Sequence, residues 1–379
     1  MHKQDSNKMK NKLSEIIIKG YRSISFEKPV VLRLTDITIL LGANGAGKSN
    51  IISFFKMLGY MMSGSLQMFI AQSGTNQKFL HYGSKKTPTL SASIRFDSMD
   101  MYDIYRFSLT RAVADSLIIS SEEIEWGRLT SDRVRPCIKQ LVSDYKESAL
   151  VNAQDKSSKI IWRFLSSCKV YQFNDSSVMS PMRQASTVES AHYLQSEANN
   201  LASFLYYLKN NYVESYNRII DYVRTVVPQF NTFYLEPERG YVSLKWTDTS
   251  ANDYVLSSDQ FSDGSIRFIA LATLLLQPEE TMPSVIIIDE PELGLHPYAI
   301  DQLTEIMKDA AMHVQVIVAT QSPSLIDGFS LDNVNIVERD DENQCTVINK
   351  LSEADFEEWV ADYTNSELWN KNVIGGRPE

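Results

Sequence analysis

The sequence predicts an α/β fold in which two halves of a largely parallel sheet are separated by a long insert. Three observations carry this expectation. Val285-Ile286-Ile287-Ile288 and Val314-Gln315-Val316-Ile317-Val318 are β-branched runs with little polar alternation, as central strands covered on both faces require. Ile37-Thr38-Ile39-Leu40-Leu41 runs directly into a glycine-rich stretch, and Asn50 to Met61 then reads as a helix. Between about residues 110 and 230 the texture changes to a mixture rich in Ser, Tyr, Lys and Glu.

The remaining elements follow in order. Ile16 to Tyr21 is a short β-branched run interrupted by Gly20, Val30 to Leu34 is a second apolar run, and Leu90 to Phe96 alternates like a half-buried strand. Leu201 to Tyr207 and Tyr216 to Val226 read as helices within the insert. The insert lacks sustained heptads, which argues against a long coiled coil. Residues 232–246 read as a hairpin around Glu238-Arg239-Gly240, and a helix opens near Ser262 and runs through Leu276. The expected organisation is a head in two parts, 1–110 and 231–340. An inserted, mainly helical lobe fills 111–230, and a tail at 341–379 is pinned to the core by Trp359 and Trp369.

Composition narrows the class. The chain has 379 residues, 43% hydrophobic and 22% charged, with a net charge of −10, ordinary for a globular protein. Bulk charge does not announce a nucleic-acid surface, although it leaves room for a local basic strip. Cys137, Cys168 and Cys345 are far apart and form no CxxC pair, so a reducing compartment is expected, without disulfides or a zinc site. The five histidines do not cluster. The longest apolar stretch, Phe268 to Leu276, is about half of the ~18 residues that a membrane span needs. No membrane association is expected, and a cytoplasmic location is.

The chemistry sits in a few short stretches. Gly42-Ala43-Asn44-Gly45-Ala46-Gly47-Lys48-Ser49 fits GxxxxGK[ST] between a strand and a helix. Backbone N–H groups of such a loop cradle phosphates, Lys48 reaches the β- and γ-phosphates, and Ser49 takes Mg²⁺. Asn44, Gly45, Ala46, Gly47 and Asn50 complete this candidate ATP-binding set. Asp289 ends an apolar strand, where it would hold Mg²⁺, and the adjacent Glu290 would polarise the attacking water. Two adjacent acids there would repel each other without a cation. Ser262 and Gly264, in Phe261-Ser262-Asp263-Gly264-Ser265, open a helix and make a second anion site. Arg22 is a candidate to reach the phosphates from the N-terminal strands. His296 reads as a plain loop histidine.

Together these stretches resemble the SMC/RecF-type branch of ABC ATPases, and within it the compact standalone bacterial "AAA family ATPase" proteins without long coiled coils. The resemblance covers nearly all of the chain. It rests on Gly20-Tyr21-Arg22-Ser23-Ile24, the phosphate loop, Tyr171-Gln172-Phe173-Asn174-Asp175-Ser176-Ser177, Ser262 to Phe268, the acidic strand end, Ala319-Thr320-Gln321-Ser322-Pro323 and Ile374-Gly375-Gly376-Arg377-Pro378.

The resemblance implies a homodimer that sandwiches ATP and Mg²⁺ between the loop of one copy and the Ser262 segment of the other, with hydrolysis loosening the pair. It makes Gln172 the candidate Q-loop ligand of Mg²⁺. It also puts Gln321 where most ABC ATPases have a switch histidine; glutamine can hydrogen-bond a phosphate but cannot relay a proton as histidine does. The implied role is control of a separate effector, such as a nuclease encoded nearby, in bacterial anti-phage defence. The alternative is a clamp ATPase that binds DNA in repair or chromosome maintenance. A transporter subunit fits less well, because Gln172 lies so far beyond Lys48. Glu290 argues against a protein that only binds nucleotide.

Overall fold

The structure is a computed structural model that describes residues 11–74, 76–112, 116–129, 136–142 and 146–376. Its core sheet has six strands in the order Cys345–Lys350, Val334–Asp340, Ile37–Leu41, Gln315–Thr320, Val285–Asp289 and Cys168–Tyr171. Only the first pair is antiparallel. Side chains alternate across a strand, and this sheet uses both faces. Leu40, Ile287, Ile317 and Ala319 point into one buried cluster, and Ile39, Leu41, Ile286, Ile288, Val316 and Val318 into another.

The longer helices of the second cluster are Leu201–Asn211, Val213–Val226, Asp263–Leu276 and Pro297–Ala311. In the third of these every residue from Ile266 to Leu276 is buried. That accounts for the long apolar stretch as a core helix. Among the described residues no helix is long and apolar enough to cross a membrane.

The first cluster is closed by helix Lys48–Met62 and by a second sheet. This sheet is wholly antiparallel, in the order Val30–Arg33, Lys12–Lys19, Thr89–Asp97, Met101–Arg111, Leu117–Arg128 and Cys137–Val142. Its last two strands fall largely within 111–230, so this segment, expected as one mainly helical inserted lobe, keeps three α-helices but also extends both sheets. The segment opens as β-structure and contributes Cys168–Tyr171 to the core sheet, and among its described residues the α-helices are Lys156–Ser166, Leu201–Asn211 and Val213–Val226. Alternation failed as a signal here for a definite reason. A bulge shifts the pairing between Ser108 and Leu109, and the inward position after Ile119 is taken by Glu122. This fully buried carboxylate accepts from Tyr105 Oη at 2.7 Å, Ser148 Oγ at 2.5 Å and the Ala149 N–H at 3.0 Å. A satisfied buried acid is compatible with a strand interior but looks like solvent-facing sequence.

Two smaller expectations also change. Phe230–Tyr234 does pair with Lys245–Asp248, but Tyr241-Val242 leaves that hairpin to pair with Ser186-Thr187. In the tail, Leu368, Trp369 and Ile374 are buried against the core. Trp359 is 42% exposed and leans on Tyr363 with ring centroids 5.8 Å apart, so of the two tryptophans Trp369 is the one buried against the core.

Gln315 joins the two sheets. Its amide accepts from the Leu13 N–H at 2.7 Å and donates to the Leu13 carbonyl at 2.9 Å and the Thr35 carbonyl at 3.2 Å. Gln315→Leu would leave these buried backbone groups unpaired and should cost about 2–3 kcal/mol in urea denaturation. A loss within experimental error of zero would show that the staple is dispensable.

Candidate nucleotide-binding site

Four adjacent parallel strands end on the same edge of the core sheet. Ile37–Leu41 leads into the phosphate loop, Gln315–Thr320 into Gln321, Val285–Asp289 into Glu290, and Cys168–Tyr171 into Gln172. Their register sets Thr320 beside Leu41, Asp289 beside Ala319, and Ile288 beside Tyr171. Ligands of open α/β sheets bind beyond such carboxyl-terminal strand ends.

The phosphate loop is shaped by its glycines. Gly45 and Gly47 have φ of +82° and +116°, a region that disfavours side chains. A Cβ on Gly47 would stand 2.0 Å from Thr346 Oγ1, and one on Gly42 2.2 Å from the Val337 carbonyl, whereas Gly45 faces open space. Lys48 lies back across the loop, donating to the Gly42 and Ala43 carbonyls at 2.6 and 2.9 Å. Burial lowers its pKa, and the nearby carboxylates of Glu290, Asp289 and Glu292 work in the opposite direction. Asn44, Gly45 and Ser49 are exposed at the mouth, while Ala46 is buried. The Asn50 amide donates to Ser23 Oγ at 2.6 Å.

The acidic strand end is strained. Glu290 has φ of +49°, uncommon for a residue with a side chain, and its N–H is held by the Ala319 carbonyl at 2.8 Å. Asp289 Oδ2 accepts from Gln172 Nε2 at 2.7 Å, and Gln172 Oε1 accepts from Lys56 Nζ at 2.5 Å. Sequence reasoning reached Gln172 but not Lys56.

It also missed Glu292. Its Oε1 accepts from Thr320 Oγ1 at 2.6 Å and from the Gln321 N–H at 3.4 Å, and its Oε2 is shielded without a partner. Burial pushes this carboxyl up. Glu292 thereby ties the loop after Glu290 to the segment that carries Gln321.

Ser262 stands where the sequence suggested, as N-cap of helix Asp263–Leu276, its Oγ accepting from the Ser265 N–H at 3.1 Å. Gly264 packs so closely that a Cβ would meet the Gly294 carbonyl at 2.5 Å. Two buried arginines bolt this corner to the segment after Gln172. Arg267 donates to the Phe173, Leu293 and Asn174 carbonyls at 2.9, 2.7 and 2.6 Å. Arg183 donates to the Ser176, Ser258 and Phe261 carbonyls and to Asp263 Oδ1. No local sequence signal marks either arginine, because their partners are distant carbonyls.

Arg22 also has a left-handed backbone, with φ of +51°. Its guanidinium lies 5.4 Å from the Tyr21 ring and 5.6 Å from the Phe79 ring, and its Nε is shielded without a partner. The neighbouring Ser23 touches Asn50 and Thr346, which sets the Arg22 turn beside the phosphate loop. His296 caps helix Pro297–Ala311.

The donor set suits Mg²⁺. Asp289 and Ser49 carry oxygen donors and Gln172 an amide oxygen, here engaged by Lys56, and this ion usually takes one or two protein carboxylates plus phosphate oxygens and waters. Among the described residues, no three His, Cys, Asp or Glu side chains gather to hold a metal by themselves.

Residues 167–327 match a protein family described as "AAA domain, putative AbiEii toxin, Type IV TA system". No curated protein matches the sequence. Among solved structures, an Smc head bound to the C-terminal winged-helix domain of ScpA matches with a TM-score of 0.55 at 15% identity, covering 91% of this chain and 99% of that one. An Smc head with an extended coiled coil, bound to the C-terminal domain of ScpA derived from Pyrococcus furiosus, matches with a TM-score of 0.56 at 13% identity, covering 93% and 99%. The fold is therefore that of an Smc head, and among the described residues the longest helices have 15 residues, with no long coiled-coil arm.

Gly47→Ala should both clash with Thr346 and strain the backbone. Stability should fall by about 1–3 kcal/mol, and protection by Mg-ATP in a thermal-shift assay should disappear. Retained protection would mean that the loop adapts around a methyl group.

Proposed function

We propose that this protein is an ATPase whose two copies close around ATP and Mg²⁺, each nucleotide lying between the phosphate loop of one copy and the Ser262 helix start of the other. The observation that carries the reading is the row of four strand ends, which gathers Lys48, Gln321, Asp289 with Glu290, and Gln172 on one edge. Loop N–H groups and Lys48 would bind the phosphates. Ser49, Asp289 and Gln172 would hold Mg²⁺, which supplies charge neutralisation at the β- and γ-phosphate oxygens. Glu290, fixed by its backbone bond to Ala319, would orient water for attack, and Gln321 would sense the γ-phosphate by hydrogen bonding. Arg22, Asn44 and Asn50 border this site, Asn50 chiefly by holding the loop to Ser23. Ser262 and Gly264 sit on the exposed corner that would meet the second copy.

Of the two roles, the likeness to SMC heads favours the clamp that acts on DNA. A local feature supports it. The chain is acidic overall, yet Lys156 to Lys169 contains four basic residues and no acidic one. Lys156, Lys159 and Arg163 share the exposed face of helix Lys156–Ser166, opposite the buried Ile161 and Leu165. Among the described residues none of the three is in an ion pair, so the face is free to neutralise phosphates.

Control of an effector protein is the second reading. It draws on the toxin family matched by residues 167–327 and on the ScpA-bound state of the related heads. In this chain Val178 and Met179 are 69% and 78% exposed, on a segment that Arg183 fastens to the Ser262 corner.

Three substitutions examine the cycle. Lys48→Ala should abolish ATP binding, Glu290→Gln should accumulate an ATP-bound dimer by light scattering, and Ser262→Arg should bind ATP but remain monomeric. Normal turnover by Glu290→Gln would remove the catalytic assignment, and ATP-dependent dimerisation of Ser262→Arg would remove the sandwich. For the DNA role, replacing Lys156, Lys159 and Arg163 together by Gln should weaken DNA binding and lower its log–log salt slope by about 2–3. Unchanged DNA binding would transfer support to effector control.

A further inference from the structure

We propose that Lys56 is a positioning residue that holds the Gln172 amide oxygen turned away from Asp289, so that a divalent cation gains this ligand only by displacing the lysine. The inference rests on the ATP and Mg²⁺ reading above and adds a residue which that reading does not use.

Lys56 lies about two turns into helix Lys48–Met62, on the same helix as Lys48 and Ser49. It bridges to Gln172 at 2.5 Å, and Gln172 bridges to Asp289 at 2.7 Å. The chemistry of the ends fixes the amide between them. An ammonium only donates and a carboxylate only accepts. Exchanging the amide O and N would set donor against donor and acceptor against acceptor, so only one orientation is compatible with both neighbours. In that orientation the NH₂ group faces Asp289. An amide nitrogen of this kind is no ligand for Mg²⁺, which takes oxygen. The glutamine oxygen becomes available beside Asp289 only when the amide turns over, which breaks both bonds.

The backbone leaves the side chain to make this choice alone. The Gln172 N–H is held by the Ser196 carbonyl at 3.1 Å, and the next two carbonyls, of Phe173 and Asn174, are gripped by Arg267. Glu197 adds a further negative charge near Lys56. Lys56 thus supplies a positive neighbour to the Asp289 region and engages the oxygen that the cation would take. Cation and lysine compete for one amide oxygen, and the amide has two positions.

Mn²⁺ uptake measures this competition without turnover. The probe is Mn²⁺ followed by electron paramagnetic resonance in ATP-loaded Glu290→Gln protein. Adding Lys56→Met should lower the half-saturating Mn²⁺ concentration by about tenfold, the size of one charge-assisted hydrogen bond. Lys56→Arg, which can still donate to the amide oxygen, should stay close to the parent protein. Removing a positive charge would favour a cation even without the latch, so the comparison is repeated with Gln172→Ala. There the Lys56→Met effect should shrink to about twofold or less, as expected when the shared partner is gone.

No shift in folded Lys56→Met overturns the proposal. An equal shift with and without Gln172 also overturns it, because the lysine would then act through charge alone. If Lys56→Met fails to fold, Lys56→Ala serves the same comparison. Glu290→Gln protein that takes up neither ATP nor Mn²⁺ overturns the underlying nucleotide reading, and a protein that binds both without the expected shift overturns only the role of Lys56.

Discussion

The parallel register of four strands is the constraint from which the site follows. Because Ile37–Leu41, Gln315–Thr320, Val285–Asp289 and Cys168–Tyr171 run the same way and are paired nearly residue for residue, their next residues emerge on one edge at strand spacing. No loop has to search for its place. The three inner runs must be apolar because each of those strands is covered on both faces, by helices on one side and by a helix and a second sheet on the other, whereas the edge strand Cys168–Tyr171 exposes Lys169. Burial that stabilises the sheet and placement that serves the chemistry are therefore the same requirement.

The strand edge alone would leave the Ser262 corner independent of the segments that follow Gln172 and Glu290. Arg267 and Arg183 remove that independence. Each is buried, and each spends its guanidinium on backbone carbonyls from separate parts of the chain. Hydrogen bonds from a charged donor are stronger than neutral ones, and a buried guanidinium left unpaired would be heavily penalised. The segment after Gln172, the loop after Glu290 and the Ser262 helix start consequently behave as one packed body.

Parts of this arrangement were legible in the sequence, and the reason is contiguity. The phosphate loop, the Asp289-Glu290 pair and Ser262 each declare themselves within a few residues, between a strand and a helix or at a helix start. Gln172 was reached only through resemblance, since one glutamine after a short strand has no signature of its own. Lys56, Arg183, Arg267, Glu292 and Thr346 were not legible, because what gives each of them meaning is a partner far away in the chain or a backbone carbonyl. The strands Leu117–Arg128 and Cys137–Val142 were hidden differently. Glu122 occupies an inward position and is satisfied by Tyr105, Ser148 and Ala149, so the polar–apolar pattern points the wrong way at the place where it matters.

Thr346 carries a consequence for how the molecule is made. Its side chain fills the space that a Cβ on Gly47 would need, donates to the Ala46 carbonyl at 2.8 Å and meets Ser23 Oγ at 2.7 Å, while its own N–H is held by the Ser23 carbonyl. The support of a loop near the start of the chain is thus contributed by a strand near its end. A ribosome delivers residue 346 long after residue 47, and domains fold as units during synthesis. A partly synthesised chain, or one cut short before Cys345–Lys350, has the phosphate-binding residues but lacks the wall that shapes them. The shape of this loop is therefore completed only once a strand some 300 residues further along the chain has been made.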